Sequence, residues 1–68
     1  MRLSGINFKS EGGAVVHVVV NESGATVGWV NEIFPDVAYV KFADVAKELG
    51  RKSVRYRSVE DALAAFES

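Results

Sequence analysis

From Ile6 to Phe42 the chain reads as extended structure, with β-branched and aromatic residues in short runs bounded by glycine-rich or proline-containing breaks. Ile6 and Phe8 alternate with Asn7 and Lys9, and Gly12-Gly13 ends that run. Ala14 to Val20 follows, Asn21-Glu22-Ser23-Gly24 turns the chain, Thr26 to Ile33 returns, and Pro35-Asp36 turns it again before Val37 to Phe42. The pattern predicts four consecutive strands of an antiparallel meander.

Parity predicts the faces. Ala14, Val16, Val18 and Val20 fall on one side of the second strand, and Val27, Trp29 and Ile33 on one side of the third. With Ala38, Val40 and Phe42 they form the expected core. The other face is not polar either, since Val15, His17, Val19, Val30, Val37 and Tyr39 point there. One short helix cannot cover both faces, so Val15, Val19, Val30, Val37 and Tyr39 are expected to meet a partner, either a second copy or another protein.

After Phe42 the period changes. Phe42, Val45, Ala46 and Leu49 have the spacing of one helical face, with Asp44 at the amino end and Gly50 placed as a left-handed terminator, which predicts a short helix near residues 43–49. Val59, Ala62, Leu63 and Phe66 repeat the spacing. Ser58 stands as an N-cap, and Glu60 and Asp61 lie in the first turn, so a carboxy-terminal helix is expected near residues 58–67. Between the two, Val54 and Tyr56 alternate with Ser53, Arg55 and Arg57 as in a half-buried strand. The expected fold is α+β: one domain over residues 1–68, a small antiparallel meander of four to five strands with these two helices.

The segment between the helices is also basic. Arg51, Lys52, Arg55 and Arg57 supply four of the six basic residues beyond residue 40, in a chain whose net charge is only −1. Arg51, Arg55 and Arg57 share strand parity. They predict a positive strip able to meet phosphates or carboxylates, or an edge that blunts strand pairing. The small net charge argues against a protein that coats nucleic acid by bulk electrostatics, so nucleic acid at Arg51–Arg57 is not the favoured partner.

Val45, Ala46, Leu49, Gly50, Ser53, Tyr56 and Val59 resemble the core signature of the helix-turn-helix family. That resemblance implies a DNA-binding transcriptional regulator using residues 44–66, with Gly50 in the turn and Arg55 and Arg57 near the start of the reading helix. Helical structure over residues 53–57 separates this alternative from the strand reading. The closing pattern, Leu49-Gly50 and then Tyr56-Arg57-Ser58-Val59-Glu60-Asp61-Ala62-Leu63, resembles the ends of small phage and prophage accessory proteins. The resemblance implies a small inhibitor, of the anti-CRISPR or host-takeover kind, that binds a host protein or nucleoprotein complex.

Chemistry finds little footing. The chain has no cysteine and a single histidine, His17, so it cannot assemble a structural zinc site from its own Cys and His residues. No serine sits in a nucleophile elbow, and no glycine-rich loop has phosphate-cradling spacing before a helix. Glu60-Asp61 is explained by the helix dipole. No enzyme, cofactor or metal is expected. The apolar fraction of 49% is that of an ordinary globular chain. Neither a signal-peptide core at Met1-Arg2-Leu3-Ser4-Gly5 nor a membrane-length apolar run is present, which predicts a cytoplasmic protein without a membrane partner.

Overall fold

The computed structural model of the chain describes residues 1–34, 36–51 and 54–67. Its elements are β1 (Arg2–Lys9), β2 (Val15–Val20), β3 (Thr26–Ile33), β4 (Val37–Phe42), α1 (Val45–Gly50), β5 (Arg55–Tyr56) and α2 (Val59–Leu63), the last running into a 3₁₀ turn, Ala64–Phe66. The strands form one antiparallel sheet in the order β1-β2-β3-β4-β5. The architecture is the expected α+β meander with a short helix and a carboxy-terminal one.

Each hairpin follows from local chemistry. Between β1 and β2 the Ser10 N–H donates to the Ala14 carbonyl at 2.7 Å, and Ser10 Oγ accepts from the Ala14 N–H. Between β2 and β3, Asn21 Oδ1 accepts from the backbone N–H of both Ser23 and Ala25 at 3.0 Å, the side-chain mimicry that favours Asn in turns. The turn into β4 holds Asp36 at φ 58°, a left-handed conformation that Asp tolerates better than most residues. Pro35, expected in the same turn, lies outside the described residues.

β1 starts earlier than Ile6, at Arg2. Its register with β2 shifts between Leu3 and Asn7, around Gly5 at φ 86°. This bulge breaks the period that alternation would have revealed.

The core lies between one sheet face and α2. Val19, Val30, Ala38 and Val40 from the sheet pack with Ala62 and Phe66, flanked by Leu3, Val27, Phe42, Tyr56, Val59 and Leu63. A helix as short as α2 is marginal in isolation, so burial of this apolar stripe must hold it in place. Its start is capped as expected: Ser58 Oγ accepts from the Asp61 N–H at 3.1 Å. Phe66 closes the core edge-on to Phe42, with ring centroids 4.9 Å apart.

The covered face is the opposite of the one that parity predicts for β2 and β3. Val19 and Val30 are 0% exposed and sit under α2, whereas Trp29, opposite Val18 and Lys41, belongs to the other face. Two features of β2 and β3 cause the inversion. The run Val15–Val20 is apolar on both sides, so it carries no parity signal of its own. In β3 the register slips: Val19 faces Gly28 but Val20 faces Thr26, leaving Val27 as the extra residue of a bulge. Val27 packs on the core, and a Cβ on Gly28 would meet the Phe66 ring, so two successive residues face α2. Val27 and Trp29 therefore do not share a face.

One helix expectation, the left-handed terminator at Gly50, is also corrected. The apolar stripe of α1 does not enter the core, since no residue of α1 is buried and Val45 and Leu49 are 70% and 82% exposed. Gly50 is the last residue of the helix, and Arg51 follows it in extended conformation at φ −94°, so no left-handed terminator is used. Tyr39 pairs with Arg55 and Ala38 with Tyr56, which makes Arg55–Tyr56 a strand. Among the described residues of the segment 44–66, helix α1, strand β5 and helix α2 follow one another, with Arg55–Tyr56 extended where the helix-turn-helix alternative expects a helix. Ser53, at the start of that expected strand, lies outside the described residues.

Candidate interaction surface

The sheet has a second face, and neither α2 nor its 3₁₀ extension packs there. Phe8 pairs with Val16, Val16 with Asn31, Asn31 with Tyr39 and Tyr39 with Arg55, so these five residues form one row across all five strands. A second row runs Val18, Trp29, Lys41. Ile33 and Val37 pair at the far end, and Arg2 pairs with Val20. Phe8, Lys41 and Arg55 are exposed, while Val18, Trp29, Asn31 and Tyr39 are half-buried among their neighbours.

Charge is distributed unevenly between the two faces. The open face carries Arg2, Lys41 and Arg55. Among the strand residues the single acid is Glu32, which pairs with Ala38 on the other face and lies 3.0 Å from His17 Nε2. The charged residues of the open face are therefore all cationic, set among apolar and aromatic residues and the neutral Asn31 and Thr26.

The structure divides the predicted partner-binding residues. Val37 and Tyr39 lie on the open face, as does Arg55 opposite Tyr39. Val19 and Val30 are removed from any surface by α2, and Val15, half-buried, shares their face through its pairing with Glu32. Arg57 is exposed beyond β5 and lines a small cavity with Phe34, Asp36 and Ser58. Lys52 lies outside the described residues.

Arg51 does not join Arg55 in a strip. It caps the end of α1, where its guanidinium donates to both carboxylate oxygens of Glu48 and to the Val40 carbonyl and stands 5.8 Å from the Phe42 ring centroid. Glu48 Oε2 also accepts from the Phe42 N–H at 2.7 Å. The Arg51 guanidinium, and then that N–H, hold the Glu48 carboxyl below its ordinary range. This polar clasp ties α1 to the end of β4. It turns the opposite side of the helix, with Val45 and Leu49, to solvent.

Beside the clasp a groove of about 580 Å³ separates α1 from the carboxy-terminal segment, lined by Val27, Phe42, Ala46, Lys47, Arg51 and Phe66. Phe34, at the β3–β4 turn, is 93% exposed. The described residues contain no group of three or more His, Asp and Glu placed to hold a metal ion, and no described helix is long and apolar enough to cross a membrane.

Sequence parity placed Val18 and Trp29 in the core, whereas the structure sets them on the open face. The available signal was Gly28, because a glycine inside a strand marks a bulge or a close approach of another chain segment. Comparison with protein-family models, with curated proteins and with solved structures finds no match to this chain.

Proposed function

We propose that this chain is a non-enzymatic interaction protein that engages a host protein or nucleoprotein complex through the open face of its sheet, in the manner of a small phage-encoded inhibitor. One observation carries the reading: among the described residues no helix packs on the face bearing Phe8, Val18, Trp29, Ile33, Val37 and Tyr39, where only Val16 and Val20 are buried. Exposed apolar area of this kind is costly in water and characteristic of docking sites. The outward stripe of α1 and the exposed Phe34 add apolar area in the same sense. Steric occlusion of a partner's working surface requires no catalytic group.

A photo-crosslinking residue tests the reading. Placed at Val18 in the full chain and expressed in its native cell, it yields a discrete adduct; placed at Glu60, exposed on α2, it yields none. Equal adducts from both positions, or none from Val18, contradict it.

A further inference from the structure

We infer that the open face grips single-stranded nucleic acid, with Trp29 and Tyr39 as stacking surfaces and Lys41, Arg55 and Arg2 as phosphate contacts. The inference rests on the docking reading above and names the class of partner. Proteins that hold single strands combine aromatic rings, on which bases stack, with cations that follow the backbone. Here the two kinds of group are interleaved by register. Trp29 lies directly opposite Lys41, and Tyr39 directly opposite Arg55. Trp29 and Tyr39 are diagonal neighbours across β3 and β4, and Asn31 and Lys41 occupy the other diagonal, so an amide that can both donate and accept and a cation flank the two rings. Neighbours two apart on one strand are spaced by about 7 Å. On β4 that spacing sets Lys41 beside Tyr39, a cation for the phosphate next to a ring for the base.

Charge decides between occupants. A face-to-face dimer would bring two copies of a face whose charged strand residues are Arg2, Lys41 and Arg55 into one interface, with no acid among the described strand residues of that face to offset them. A polyanion meets them without opposition. An acidic protein would also satisfy the cations, but the rings interleaved with them are the stacking surfaces that bases use, which favours the nucleic acid. The net charge of −1 for the whole chain is compatible with this, because the acids lie on the turns, helices and opposite face. Binding is local and face-specific, in contrast to coating by a uniformly basic protein.

Trp29 is the only tryptophan of the chain and reports directly. The full chain is titrated at low salt with a twelve-base oligothymidine, with the same length of duplex, and with a poly-glutamate peptide. The inference predicts quenching of Trp29 by the single strand, weakening as salt rises. Lys41→Gln and Arg55→Gln, both exposed and so expected to fold, each weaken binding several-fold. Tyr39→Leu weakens it about fivefold or more, the size expected for loss of one stacked base. Lys47→Gln on α1 leaves it unchanged. The inference is overturned by no quenching with the oligonucleotide, by equal affinity in Lys41→Gln and Arg55→Gln, by preference for duplex, or by quenching with the peptide alone. A Val18 protein adduct in cells combined with no oligonucleotide binding would sink this inference and leave the docking reading standing; absence of any Val18 adduct removes the reading beneath it.

Discussion

Two residues control how the sheet meets the segments around it. Gly28 lies where Phe66 closes onto β3: a Cβ there would collide with the Lys41 carbonyl oxygen and with the Phe66 ring. The backbone oxygen cannot move without disturbing the β3–β4 ladder, so Gly28→Ala is expected to destabilise the chain by about 1–3 kcal/mol, read as a lowered urea midpoint. Glu48 acts at the other junction. Its depressed pKa means that the folded chain binds the carboxylate form more favourably than the unfolded chain does, and the contribution is present above the ordinary value of 4.5. It is lost as pH falls through the lower folded value. The stability difference between the wild-type chain and Glu48→Gln is therefore expected to be largest near neutral pH and to shrink below pH 4.5 in denaturant titrations at a series of pH values.

At the scale of elements, α1 and α2 have the same apolar spacing but opposite fates. Leu49→Lys in α1 is expected to change stability by no more than about 0.5 kcal/mol, because Leu49 is 82% exposed and lysine is also a good helix former. Phe66→Ala, at the end of the α2 segment, is expected to remove about 3–5 kcal/mol, enough to unfold a chain of this size. Thermal melts of the two variants separate these outcomes. The strands, the turns at Asn21 and Asp36 and the Ser58 cap were legible in the sequence because each depends on a few adjacent residues. The role of α1 was not, since a helical period shows which residues share a side and not which side is buried. Glu48 and Arg51 settle that through bonds to β4, which is distant in pattern if not in number. The faces of β2 and β3 were hidden for a related reason. A one-residue bulge inverts every later position, and a strand of valines cannot report the error.

For the molecule as a whole, the outcome is a two-sided sheet with different work for each side. One side is closed by Ala62 and Phe66 and supplies the stability. The other presents Trp29 and Tyr39 beside Lys41 and Arg55 and is the surface we propose for docking. Of the residues expected on an uncovered face, Val37, Tyr39 and Arg55 lie on the open face, Val15, Val19 and Val30 lie on the covered one, and Val18 and Trp29 take their place in the docking proposal. The whole account turns on where Trp29 points, and collisional quenching of its fluorescence measures that directly. On a half-open face flanked by cations, iodide should quench more efficiently than caesium, and added salt should narrow the gap as it screens Lys41 and Arg55. A Trp29 inaccessible to both ions, or quenched better by caesium, would contradict it.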